Sequence, residues 1–204
     1  MHWKLLKNKL ALLMAVSLVL AAMGCSTQVT RMEAGEVKDL SGAWNDTDSQ
    51  QVSEEMIKDV LSRPWFNDFT RAQNRQPAVI VGEVSNLSHE HINVKTFVAD
   101  MERALINSGM VQFVASSTER QEIREERKDQ DLHASEATRK PMGQEKGADF
   151  MLKGTINTII DASGKTQLRY YQVDLTLISL ADNRKVWLGQ KKIKKLVERS
   201  NLRF

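Results

Sequence analysis

The chain has 204 residues, 41% of them hydrophobic, with 29 lysines and arginines, 26 acidic residues and one cysteine. A lone cysteine excludes an internal disulfide framework. Lys4, Lys7 and Lys9 are the only charges before position 25. Without them basic and acidic residues are equal in number, which excludes a global attraction to nucleic acid or acidic lipid.

Those three lysines lead into the apolar run Leu10–Met23, which ends at Gly24 and Cys25. A membrane-spanning helix needs about 20 apolar residues, so the run is too short for one. Its layout is that of a secretory signal peptide over residues 1–24. Leu20-Ala-Ala-Met-Gly-Cys25 resembles a bacterial lipobox, in which the cysteine is lipidated and cleavage falls just before it. Several acyl chains at ~0.8 kcal/mol per buried methylene hold a protein on a membrane durably. Cys25 is therefore the expected lipidation point. Ser26, in place of the aspartate that signals inner-membrane retention, points to the periplasmic face of the outer membrane. Residues 25–43 read as a polar tether and 44–204 as one periplasmic domain.

"SGAWN" (41–45) predicts an edge strand. A helix follows through "NDTDSQQVSEEMIKDVLSRPW", capped by Asp46 or Asp48, striped by Val52, Met56 and Val60, with Pro64 marking its end. "PAVIVGEV" predicts a central strand covered on both faces, and "SNLSHEHIN" a polar loop. Asn93 caps the next helix, whose stripe is Val94, Phe97, Val98, Met101, Ala104 and Leu105, with Gly109 ending it. "MVQFVA" is a short strand. Ser117 opens a charged helix whose only apolar residues are Ile123 and Leu132, and "RKPMGQEKGA" predicts one more short helix. The last third is β: "ADFMLKGTINTII", a turn at "DASGK", "TQLRYYQVDLTLISL" with Tyr171, Val173, Leu175 and Leu177 on one face, a turn at "ADNRK", and "VWLGQKKIKK". The fold class is α+β: a single mixed sheet of about four to five strands, with a C-terminal antiparallel meander, packed by several helices.

No Ser/His/Asp constellation, P-loop or dinucleotide fingerprint is present, so the chain reads as no enzyme, with no cofactor and no small-molecule substrate. His89 and His91 have the spacing of a metal pair, but too few companions for a tetrahedral site, and a solvated loop is the reading taken. The lysines of "KKIKK" fit a guarded edge strand or a contact with phosphate headgroups. Loops at strand ends carry binding more often than the framework does. Asn86, Ser88, His89 and His91 are therefore the expected partner-binding residues, and Asn86→Ala with His89→Ala is expected to weaken binding without lowering the melting temperature.

"AVIVGEVSNLS", "ALINSGMVQFV", "GADFMLKGTI" and "LTLISLADNRKVWLGQ" resemble the globular domain of the LpoB family, over roughly residues 44–192. The resemblance rests on Asn86, Gly109, Gly147-Ala148-Asp149 and Trp187, which are fold-bearing positions. It implies an outer-membrane lipoprotein whose partner is a class A penicillin-binding protein, a peptidoglycan synthase activated by docking. CsgG-like assembly lipoproteins share similar phrases and supply the alternative, a secretion subunit. Familiar LpoB-family members have long proline-rich linkers; here Ser26–Ala43 has no proline and extends to roughly 60 Å at most.

Overall fold

A computed structural model describes residues 28–33, 35–143 and 145–198; Cys25 and the expected leader 1–24 lie outside the described residues. The chain divides into two units, Met1–Glu36 and Val37–Phe204. The described part of the first is exposed chain with one turn, in which the Glu36 amide donates to the Glu33 carbonyl at 3.0 Å. All that follows concerns the second.

Helix α1 (Asp46–Ser62) begins with a capping box: Asn45 accepts from the Asp48 amide, and the Asp48 carboxylate accepts from the Asn45 amide. Asn45 is therefore the cap and Asp48 its reciprocal partner, one residue away from the expected arrangement. The edge strand expected at 41–45 does not form. Gly42 sits at φ +66° and bends the chain, and Trp44 turns inward to donate its indole N–H to Ser49 at 2.7 Å. Pro64 stops α1 as expected but also opens α2 (Pro64–Gln73), a helix the sequence reading missed. Proline is suited to a helix's first position because that N–H has no partner there in any case.

Strand β1 (Ala78–Asn86) is buried at Ala78, Val79 and Ile80 and half-buried beyond, with Glu83 exposed within a bulge between Val81 and Val84. Only its first half is thus covered on both faces. Helix α3 (Val94–Asn107) is capped by Asn93, which accepts from the Lys95 amide, and buries Phe97, Met101 and Leu105. Gly109 follows at φ +64°, left-handed geometry that favours glycine. After the two-residue strand β2 (Gln112–Phe113), α4 (Ser117–His133) has a Ser116/Glu119 capping box and buries nothing. Turns, and no further helix among the described residues, fill the stretch around Pro141. Pro141, Gly143 and Gly147 lie too close together there for a helical run to propagate.

Strands β3 (Phe150–Ser163), β4 (Thr166–Ser179) and β5 (Lys185–Glu198) form the expected meander, with Asn183 at φ +61° in the second turn. The sheet order is β2-β1-β3-β4-β5, with parallel pairing from β2 through β3 and antiparallel pairing after it. The fold is α+β, as the sequence indicated. Tyr171, Val173, Leu175 and Leu177 alternate inward, and α1 and α3 cover that face with Val52, Met56, Phe97 and Met101. Each such side chain contributes about 1.5–3 kcal/mol by leaving water.

Candidate functional site

The Asn86–His91 loop is built from its own polar side chains. Asn86 Nδ2 donates to the Glu90 carbonyl at 2.8 Å, and its Oδ1 accepts from the Ser88 amide at 3.0 Å and hydroxyl at 2.6 Å. The Glu90 amide in turn donates to Ser88 Oγ at 3.2 Å. Asn86 and Ser88 are half-buried and shape the loop, whereas His89 and His91 are exposed. No group of three or more metal-ligating side chains gathers among the described residues.

Glu90, which the sequence offered only as a possible support for a metal-ligating histidine, has a different role. Its carboxylate points inward, accepting from the Trp44 amide at 3.0 Å, Arg169 Nη1 at 2.9 Å and the Tyr171 hydroxyl at 2.7 Å. The Arg169 and Glu90 side chains are only 15% and 16% exposed. Burial, and then Glu90, push the Tyr171 phenol well above its ordinary range. Its hydroxyl also lies 3.3 Å from the Gly42 carbonyl. No local pattern marks Glu90, because the partners that hold its charge out of water lie far along the chain.

A second brace lies nearby. Lys195 of β5 donates to Asp39 at 2.8 Å and to the Ala43 carbonyl at 3.2 Å, and pairs with Asp48 at 2.6 Å. Burial opposes its charge, but the two carboxylates outweigh burial and raise its pKa. Lys191 pairs with Glu55. Half of the "KKIKK" motif thus faces α1 and the N-terminal strap, while Lys192 and Lys194 are exposed on the sheet's other face. These polar groups are saturated by one another. Their chemistry is that of a brace, fixing where residues 39–45 cross the sheet.

On α4, Arg124 grips Glu145 through two bonds of 2.8 Å, with Arg127 3.6 Å from the same carboxylate. Ile123 and Leu132 stay exposed.

The family model described as peptidoglycan-synthase activator LpoB matches residues 48–193. The chain belongs to the LpoB family. The match runs from the first turn of α1 into β5, so Glu90, Arg169 and Tyr171 lie within the LpoB span while Trp44 and Lys195 flank it. Among solved structures, the LpoB C-terminal domain from Escherichia coli is 12% identical, with 72% of this chain and 99% of that one covered and a TM-score of 0.41. The solution structure of E. coli LpoB gives 11%, 87%, 85% and 0.40 for the same four quantities. Lipoprotein GNA1162 from Neisseria meningitidis gives 16%, 61%, 87% and 0.38. No curated protein matches. The description of the LpoB family is of an activator of peptidoglycan synthase. No helix among the described residues is long and apolar enough to cross a membrane.

Proposed function

We propose that this protein is an outer-membrane lipoprotein, held at the periplasmic face by lipid on Cys25, that binds and activates a class A penicillin-binding protein. The observation that carries the reading is the LpoB match over residues 48–193. Activation requires no chemistry from this chain. Tighter binding to the synthase's active conformation than to its resting one shifts that equilibrium, tenfold for each 1.4 kcal/mol of difference.

Within the Asn86–His91 loop, the side chains offered to the partner are His89 and His91, with Asn86 and Ser88 holding the loop's shape. Crosslinking the intact lipoprotein in living cells tests the reading. A class A penicillin-binding protein should be recovered, and in lower yield from a His89→Ala/His91→Ala variant. Recovery of only its own subunits or secretion components would replace activation with assembly.

A further inference from the structure

Helices α1 and α3 cover the sheet face that carries Tyr171, Val173, Leu175 and Leu177. The opposite face of β3, β4 and β5 has no such cover, and its alternate positions on β5, from Leu188 to Glu198, are all exposed. A solvated sheet face is normally polar, and most of this one is. Its end near the β3–β4 turn departs from that. Ile159 and Leu196 stand there 65% and 64% exposed, with Leu168 and Tyr170 between them on β4.

The strand registers fix the layout, which runs in rows across the three strands toward the turn. Lys192 ends the first row on β5. Ile159, Tyr170 and Lys194 make the second, Asp161, Leu168 and Leu196 the third, and Glu198 ends the fourth on β5. The two middle rows carry the apolar patch. Lys192 lies one row before it and Glu198 one row after. Lys191 and Lys195, on the covered face, are ion-paired, whereas Lys192 and Glu198 make no ion pair among the described residues.

This pattern is complementary to itself under a two-fold rotation. The axis lies between two stacked sheets, at right angles to the strands, midway between the Tyr170 and Leu168 rows. It lays Tyr170 of one copy over Leu168 of the other, and Leu196 over the stem of Lys194. It also brings Lys192 to Glu198, twice, because the two lie equally far from the axis on the same strand. Sheets packed face to face stand about 10 Å apart, which a lysine and a glutamate bridge. A uniformly anionic surface such as a phospholipid layer would meet Asp161 and Glu198 as like charges. A second copy supplies Glu198 with a cation.

We infer that this end of the uncovered sheet face pairs with the same face of a second copy of this chain. Tyr170, Leu168 and Leu196 form the dry centre, and the two Lys192–Glu198 pairs set the register. Four rows across three strands fall short of the about 20–30 residues a side of a standard interface. The pairing is therefore weak and concentration-dependent. It is independent of the activator reading, since the product sought joins this chain to itself at one site and is scored apart from any synthase.

The test places a photo-crosslinking amino acid at Leu196 of the full-length chain in living cells, with Ile106 as the control position. Ile106 is 53% exposed and lies on α3, away from this face. A two-copy product is expected from 196 and not from 106, with the link mapped by mass spectrometry to β5 of the other copy. Lys192→Glu should lower its yield roughly tenfold, because both pairs across the axis become repulsive. Lys192→Glu combined with Glu198→Lys should restore the yield, since exchanging both charges keeps each pair. Melting temperatures should stay unchanged throughout. The inference is overturned by no two-copy product from 196, by equal yield from 106, or by capture of lipid or another protein in its place. A yield that ignores Lys192→Glu, or that the charge exchange does not restore, overturns it as well.

Discussion

Lys195 and Asp48 face one another at 2.6 Å, joining the last strand to the first turn of the first helix, with side chains only 11% and 6% exposed. The same ammonium holds Asp39 and the Ala43 carbonyl. One side chain thus fastens the domain's N-terminal strap.

Replacing Lys195 by Met leaves Asp48 a buried acid without its cation. Breaking such a pair should cost about 2–3 kcal/mol, somewhat below the figure for a fully buried one because Asp39 is half exposed. Urea unfolding measures it. The Lys195 pKa is raised, so its contribution is complete below the unfolded value near 10.5 and is lost as pH rises through the folded value. The variant should therefore lose part of the alkaline fall in stability.

Glu90→Ala should destabilise the protein by about 2–4 kcal/mol, because Arg169, the Tyr171 hydroxyl and the Trp44 amide lose a common acceptor. Glu90→Gln, which keeps the shape and an acceptor oxygen, should cost less. Equal melting temperatures for wild type and Glu90→Ala would show that the brace carries no stability.

Asn86→Ala and His89→Ala, grouped together by sequence reasoning, should separate. Asn86 loses three hydrogen bonds in a half-buried turn, for a cost of about 1–2 kcal/mol and a lower melting temperature. The exposed His89 should change stability by less than about 0.5 kcal/mol. Thermal unfolding of the two single variants distinguishes them.

The Arg75 guanidinium, aided by the Ala78 amide and against the effect of burial, holds the Asp149 carboxyl below its ordinary 3.8. A lowered carboxylate pKa contributes stability above the unfolded value that disappears as pH falls through the folded one. Asp149→Asn should therefore lower stability at neutral pH and flatten the acid limb of a stability–pH profile below about pH 4.

Helix α4 should behave as a separate layer. Leu132→Ala, at a side chain 79% exposed, should change stability by less than about 0.5 kcal/mol. Its amides should exchange with deuterium far sooner than those of β4, because no buried residue ties α4 to the core.

Periodic segments were legible in the sequence: the α3 stripe, the alternation of Tyr171 to Leu177, and the turn at Asn183 all report local preferences. Segments ruled by distant partners were not. In "SGAWN" only Trp44 favours a strand, and Glu90 and Lys195 hold the segment as a strap. Pro64 reads as a stop signal, and nothing local reveals that it also starts α2, whose Trp65 is buried against Phe150. The candidate loop showed the same division. Its polarity was evident and the exposure of its histidines followed, but the inward turn of Glu90 depends on Arg169 and Tyr171, far along the chain.

The sheet's pairing also sets a timetable. Strands β3, β4 and β5 meet through tight turns and can zip from local contacts within microseconds to milliseconds. Strand β1 pairs in parallel with β3, Val79 against Phe150, only after the long α3–β2–α4 excursion has closed. The Asp48 of α1 gains its cation only when β5 brings up Lys195. The contacts that close the sheet and seat α1 on β5 are therefore completed only when the C-terminal third is present.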